Sequence, residues 1–116
     1  MNKASIIGID LGSSQSCIGI WENDVISIIP NEIGERSIPS YISFTDKERL
    51  FGNNAKSQIT KNPNNTLFSI KRLIGENDTK YLNEKMESYP YKIIKNDNSI
   101  IPKLKLILKI KQEYFI

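Results

Sequence analysis

The apolar positions of this 116-residue chain fall into short runs, and most of these runs have the length of strands. Ser5–Asp10 is dense in isoleucine, which predicts a strand that is buried on both faces. Ser16–Trp21 and Val25–Ile29 also have strand composition, and Glu22–Asp24 between them is typical of a tight hairpin turn. We therefore predict a three-stranded antiparallel meander, with a Gly-Ser-Ser-Gln turn over residues 12–15 at one end.

Residues 30–60 predict a loop, a second hairpin and a helix. Pro30–Pro39 is punctuated by Pro, Asn and Gly, which is typical of a loop. Tyr41–Phe44 and Glu48–Phe51 have the composition of two short strands joined by a three-residue turn. Asn53–Thr60 follows as a predicted helix, with Asn53 or its neighbour Asn54 as the N-cap.

The second half of the chain predicts two further helices and two strands. Leu67–Ile74 has a helical apolar spacing, begins after a Thr66 cap and ends at a glycine. Thr79–Ser88 is a weaker helical segment, and Tyr91–Lys95 is a strand. Lys103–Lys111 alternates leucine or isoleucine with lysine, which is the period of a half-buried strand. Its lysines indicate a solvated face that discourages edge pairing rather than a surface for nucleic acid or lipid.

The rare residue types exclude several kinds of chemistry. The chain has one cysteine, Cys17, and no histidine, so an internal disulfide, the usual zinc ligand sets and a histidine base are all excluded. No stretch of 18 apolar residues occurs, and the first residues lack the apolar segment of a signal peptide. We therefore expect a cytoplasmic protein with no membrane partner.

The turn after the first strand carries residues suited to phosphate. Gly12 allows a sharp turn and a close backbone approach, and consecutive N–H groups form an anion-binding nest. Ser13 and Ser14 add hydroxyl donors, and Asp10 is placed to hold Mg²⁺ directly or through water. Spacing alone leaves two interpretations open, a phosphate loop and a plain hairpin with small polar turn residues.

Lys71 is the second candidate, because a lysine beside a γ-phosphate stabilises the charge that develops during phosphoryl transfer. On a helix, Lys71 and Arg72 point in different directions, so one can face a site while the other faces solvent. The alternative is a pair of solvated charges on an amphipathic helix, and spacing alone favours this alternative.

Five segments carry a recognisable pattern, namely Ile7–Trp21, Asn31–Tyr41, Phe44–Lys56, Asn62–Thr66 and Lys71–Gly75. Together they resemble the 70-kDa heat-shock protein (Hsp70, DnaK-type) chaperone family. The first segment alone also resembles sugar kinases and actins, which share the phosphate turn. The order and spacing of the segments over residues 6–75 separate the chaperones from those proteins, and the match weakens after residue 76.

The resemblance implies an α/β fold, part of lobe one of an actin-like ATPase with ribonuclease H-like sheets, which binds ATP or ADP with Mg²⁺. Asp10 would help to position the hydration shell of Mg²⁺, and Lys71 would be the catalytic lysine near the γ-phosphate. Gly12 would belong to the nucleotide-binding turn. Ser13 and Ser14, which follow it, would take the places of two threonines that contact the nucleotide phosphates. Gln15 would contribute its backbone N–H. A serine keeps the hydroxyl of a threonine but loses the methyl group that restricts its rotamers.

The resemblance also implies a division into subdomains. Residues 1–39 would form the first part of the lower lobe-one subdomain, including the phosphate loop, and residues 40–116 would form the upper lobe-one subdomain, an α+β unit. Lobe two, the linker, the peptide-binding domain and the lid have no counterpart in the chain. The final strand departs from the family, since Lys109–Lys111 lacks the expected turn glycine.

Two functions follow as expectations. The first is an N-terminal part of a stress-responsive chaperone ATPase that, taken alone, binds nucleotide weakly or not at all. Its family partners would be nucleotide and unfolded polypeptides, with J-domain co-chaperones and exchange factors joining only the full-length protein. The second is a truncated, non-enzymatic fragment that acts as an interaction module or is an inactive product.

Overall fold

The computed structural model describes residues 6–96 and 99–105, which form a mixed, sheet-rich α/β fold. Three antiparallel sheets contain nine strands within this part of the chain. The strands are β1 Ile6–Leu11, β2 Gln15–Glu22, β3 Val25–Ile28, β4 Ile38–Pro39, β5 Tyr41–Phe44, β6 Arg49–Phe51, β7 Thr66–Phe68, β8 Lys92–Asn96 and β9 Ser99–Lys105. The α-helices are α1 Gly52–Lys56 and α2 Thr79–Met86, and the 3₁₀ turns are Pro63–Asn65 and Ile70–Arg72. Within the ranges just given, no helix has the length and apolar character needed to cross a membrane.

The first sheet pairs β1, β2 and β3 in chain order, and β4 pairs with the beginning of β2. The predicted turn between β2 and β3 is confirmed. Asn23 and Asp24 both have left-handed backbone angles, with φ of 51° and 60°. Two such residues in succession make the two-residue loop whose twist matches that of antiparallel strands, and Asn and Asp tolerate this conformation best after glycine.

The predicted burial of the first strand is wrong. All of β1 is exposed, and its four large apolar side chains are between 61% and 68% exposed. The density of isoleucine predicted that other elements pack on both faces of this strand, but within residues 6–96 and 99–105 no element buries either face of β1. The strand itself is present, because pairing with β2 satisfies its backbone independently of any cover.

The predicted helix Leu67–Ile74 is also wrong. Residues 66–68 form β7, which pairs with β5, and Ile70–Arg72 is only a single 3₁₀ turn. Thr66 is not a helix cap, since its Oγ1 donates to the carbonyl of Asn62 at 2.7 Å and bonds Ser43 Oγ at 2.9 Å. Ser69 then adopts a left-handed conformation, with φ of 53°, which interrupts any helix at that point.

The other two predicted helices are present, with different ends. The helix predicted over Asn53–Thr60 is the shorter α1, which begins after Phe51 without a side-chain cap, so neither predicted asparagine caps it. Asn53 instead donates from its amide to the carboxylate of Glu35. In contrast, α2 is capped by Asp78, whose Oδ1 accepts from the N–H of Lys80 at 2.8 Å.

The hydrophobic core lies where β5 and β7, α2 and the β8–β9 hairpin meet. Each of these elements contributes at least one of the buried or half-buried apolar side chains. The predicted strand Tyr91–Lys95 corresponds to β8, and the start of the predicted strand Lys103–Lys111 lies in β9. The remainder of that predicted strand lies outside the described residues. The buried members of the core are Leu67, Leu73, Leu82, Tyr91, Ile93 and Leu104.

Candidate functional site

The turn that joins β1 to β2 can be built only with glycine at its first position. A Cβ placed on Gly12 would lie 2.0 Å from the carbonyl oxygen of Gln15, far inside van der Waals contact. Gln15 already belongs to β2, so the predicted turn is shorter by one residue. Ser13 is half-buried and Ser14 is exposed, and neither hydroxyl is hydrogen-bonded to another described residue. The turn therefore leaves both hydroxyls available to a ligand.

Ser40, the residue after β4, fastens this turn to the rest of the molecule. Its backbone N–H donates to the carbonyl of Ser14 at 2.9 Å, and its hydroxyl donates to the carbonyl of Gly12 at 2.8 Å. The hydroxyl of Ser16 lies 2.8 Å from the same Ser40 Oγ. Ser40, which is 28 residues after Gly12, thus holds the carbonyls of both Gly12 and Ser14 on one side of the turn.

Lys71 reaches the same end of the sheet from the second half of the chain. Its Nζ donates to the carbonyl of Leu11 at 2.7 Å, across a separation of 60 residues. Leu11 is the last residue of β1, directly after Asp10 and directly before Gly12. An ammonium group has three N–H donors, so two remain available beside the turn. The side chain of Lys71 is exposed.

The position of Lys71 depends on the chain that leads to it. The left-handed Ser69 turns the chain away from β7, and the 3₁₀ turn that follows carries Lys71. The carbonyl of Phe68 is held by the hydroxyl of Tyr91 at 2.6 Å. Burial, reinforced by the neighbouring tyrosines, raises the pKa of Tyr91, so its phenol stays protonated and keeps donating. Lys71 thus extends towards the phosphate turn from the 3₁₀ turn that follows β7, and not from the face of the predicted helix.

The chemistry of these groups fits a nucleotide phosphate with its magnesium ion. Hydroxyls, free backbone N–H groups and an ammonium are the donors that phosphate oxygens accept from. Among residues 6–96 and 99–105, no three acidic or cysteine side chains cluster in a way that would hold a metal alone. Mg²⁺ is usually held by one or two carboxylates together with phosphate oxygens and water, so a single Asp10 at the end of β1 is compatible with this mode.

Sequence reasoning overlooked the residues that support the turn. Ser40 and Ser16 were within segments that carry the family resemblance, but no role was assigned to them. Ser37, whose hydroxyl donates to Oε1 of Gln15 at 3.2 Å, was overlooked as well. No local signal marked the strand β4, Ile38–Pro39, which lies at the end of the predicted loop Pro30–Pro39, because proline is depleted in strands. Its pairing with β2 is a contact between distant segments, and local patterns do not specify such contacts.

Comparison with known proteins identifies the class of protein. The model of the Hsp70 protein family matches residues 6–112, which is most of the chain. The chain therefore belongs to the Hsp70 family.

Particular relatives are similar over most of the chain. It is 45% identical over 104 residues to heat shock cognate 70 kDa protein 3 of Dictyostelium discoideum, covering 89% of this chain and 16% of that protein. It is 49% identical over 94 residues to the chaperone protein DnaK of Psychrobacter cryohalolentis, covering 80% of this chain and 14% of that protein. It is 45% identical over 92 residues to heat shock 70 kDa protein cognate 1 of Drosophila simulans, covering 78% and 43% respectively. The chain thus spans less than half the length of each of these relatives.

Proposed function

We propose that this chain supplies the phosphate-binding wall of the ATP site in an Hsp70-type ATPase domain, and so serves ATP-dependent protein folding. The observation that carries the proposal is the hydrogen bond from Lys71 Nζ to the carbonyl of Leu11. It puts the one lysine predicted to act on phosphate beside the one turn predicted to bind phosphate. Two residues that are 60 positions apart have no local reason to meet there.

Each residue of the site has a separate role in this proposal. The N–H groups and hydroxyls of Ser13 and Ser14, with the N–H of Gln15, bind the phosphate oxygens of ATP or ADP. Gly12 permits the turn. Asp10 would hold the water on Mg²⁺, and the ion, when bound, would supply positive charge to the phosphate. Lys71 directs its remaining N–H donors to the γ-phosphate, where its positive charge stabilises the transferring group.

The wider assignment follows from family membership and is part of the proposal. The fold is lobe one of an actin-like, ribonuclease H-like ATPase, with residues 1–39 in the lower subdomain and residues 40–116 in the upper one. In the cytoplasm, a protein containing this wall together with the rest of the site would act on unfolded polypeptides. Such a protein would respond to J-domain co-chaperones and exchange factors.

A nuclear magnetic resonance titration of the ¹⁵N-labelled chain with Mg-ATP tests the proposal. We expect the amide signals of residues 12–15 to shift at millimolar nucleotide, and Lys71→Met to weaken this binding about tenfold, the worth of one charge-assisted hydrogen bond. Arg72→Met is the matched control, because Arg72 is the adjacent exposed cation and its side chain makes no hydrogen bond to the turn. An absence of shifts in the turn, or equal effects of the two variants, would contradict the proposal.

Titration calorimetry adds a second check, since a micromolar affinity would contradict the expectation of weak binding by this chain alone.

A second candidate function is association with another polypeptide through the β1–β3 sheet. The observation in its favour is the exposure of large apolar side chains on all three strands, from 39% at Ile28 to 68% at Ile9 and Ile26. Exposed apolar strands with free edges favour pairing with another chain. Sedimentation velocity at several concentrations tests this function, and a folded, strictly monomeric species would contradict it.

A further inference from the structure

The hydroxyl groups of Ser40 and Ser16 form a hydrogen-bond chain with a definite direction. Each serine hydroxyl has one hydrogen to donate. Ser40 donates its hydrogen to the carbonyl of Gly12, which is an acceptor only. The 2.8 Å contact between the two hydroxyls must therefore use the hydrogen of Ser16. The direction runs from Ser16 to Ser40 and ends on the turn.

The carbonyls that Ser40 holds determine where two N–H groups point. The C=O and N–H of one trans peptide group point in opposite directions, and no peptide bond among the described residues is cis. The carbonyl of Gly12 shares a peptide group with the N–H of Ser13, and the carbonyl of Ser14 shares one with the N–H of Gln15. Because both carbonyls point towards Ser40, both N–H groups point away from it.

The Gly12–Ser13 peptide group has particular need of such a support. Glycine has a wider range of backbone angles than any other residue, so the peptide group that follows it rotates at little steric cost. The support comes from Ser40, which is half-buried and lies directly after the buried Pro39 of β4. The side chain of Ser40 therefore fixes the orientation of the Gly12–Ser13 peptide group, which Gly12 by itself would leave free to rotate.

We propose that Ser40 is the positioning residue of the phosphate turn, with its hydroxyl aiming the N–H of Ser13, and its backbone N–H aiming the N–H of Gln15, at the bound phosphate. This inference rests on the proposed function for the identity of the ligand. The two halves of the role are separable, because a side-chain substitution removes only the first. Ser16 is secondary, since it donates to Ser40 and not to the turn.

Residual dipolar couplings of backbone N–H groups in the free protein test the orientation directly. In Ser40→Ala we expect a changed coupling for Ser13, with Gln15 close to wild type because the backbone bond from Ser40 to Ser14 remains. Ser40→Thr keeps a hydroxyl and should restore the coupling of Ser13. Ser37→Ala is the control, since it removes a bond to the side chain of Gln15 alone. Unchanged couplings in Ser40→Ala, or a change at Gln15 as large as that at Ser13, would overturn the positioning role.

Titration with Mg-ADP tests the link to phosphate. Ser40→Ala should weaken binding about tenfold, as expected when one N–H donor to a charged group is lost, and Ser40→Thr should restore it. Ser43→Ala removes a fully buried hydroxyl elsewhere and serves as the control for lost stability without lost affinity. Wild-type affinity in Ser40→Ala would overturn the proposal. Failure of the wild-type chain to bind would overturn the proposed function instead, while the dipolar couplings would still decide whether Ser40 orients the turn.

Discussion

Gly12→Ala is the sharpest perturbation of the candidate site, because it adds one methyl group where the structure has no room. The new Cβ would lie 2.0 Å from the carbonyl oxygen of Gln15, and Cβ contacts under 3.0 Å essentially never occur. The two atoms must therefore separate by at least about 1 Å, the difference between these distances. The neighbour is backbone and not a flexible side chain, so the turn itself has to open.

Two measurements report the cost of opening the turn, the free energy of unfolding and the affinity for Mg-ADP. Overpacking of this kind destabilises a protein by about 1–3 kcal/mol, so the midpoint of urea unfolding should fall while its slope stays unchanged. The shift also moves the peptide groups that we propose bind phosphate. Loss of one hydrogen bond to a charged group costs about 1.5–3 kcal/mol, so the affinity for Mg-ADP should fall about 10- to 150-fold.

Gly8→Ala provides a matched control in β1, the strand that leads to the turn. A Cβ on Gly8 would meet no atom within 4 Å, so the same substitution adds a methyl group in open space. Alanine also has less conformational freedom to lose on folding, so this variant should be neutral or more stable by up to about 1 kcal/mol. If Gly12→Ala unfolds and binds nucleotide as Gly8→Ala does, the close approach of Gly12 to Gln15 does not shape the site.

Three further predictions concern the packing that supports the site. Ser43→Ala should lower the free energy of unfolding by about 1–3 kcal/mol, because it leaves the buried Thr66 hydroxyl with one partner fewer, and urea unfolding measures this. Leu67→Ala should cost about 2–5 kcal/mol, whereas Ile74→Ala, at 73% exposure, should cost no more than about 0.5 kcal/mol in the same assay; equal losses would contradict the assigned core. The pKa of Tyr91 is raised on folding, so its contribution to stability is present below its unfolded pKa of about 10 and is lost as pH rises towards the folded value. Thermal melts from pH 8 upwards should show this loss, and Tyr91→Phe should reduce it.

Elements with local causes were predictable from the sequence. The β2–β3 hairpin is specified by Asn23 and Asp24, whose side chains tolerate the left-handed angles that the two-residue loop needs. Helix α2 was predictable because an apolar position, Leu82, falls within a stretch of good helix formers. In both elements the deciding residues are no more than a few positions apart, so a short window contains the whole cause.

The segment Leu67–Ile74 shows where local patterns fail. Its apolar positions have a helical spacing, but the stronger interactions come from residues outside the window. The hydroxyl of Ser43 and the phenol of Tyr91, each 23 residues from its partner, hold residues 66 and 68 in an extended conformation. Tertiary contacts therefore outweighed a helix preference that is worth only a fraction of about 1 kcal/mol per residue.

The candidate site combines both kinds of cause, and this explains why spacing alone left its function open. The Gly-Ser-Ser turn is local, and many hairpins have such a turn without binding phosphate. What distinguishes this turn is a pair of long-range supports, Ser40 on its carbonyl side and Lys71 at the strand end that precedes it. Both supports are distant from the turn in the sequence. Lys71 follows β7 and the left-handed Ser69, which occupy the segment predicted to be a helix. The segment Leu67–Ile74, which was wrongly predicted to be a helix, is also the segment that contains Lys71. The position of Lys71 relative to the turn therefore could not be predicted without the fold.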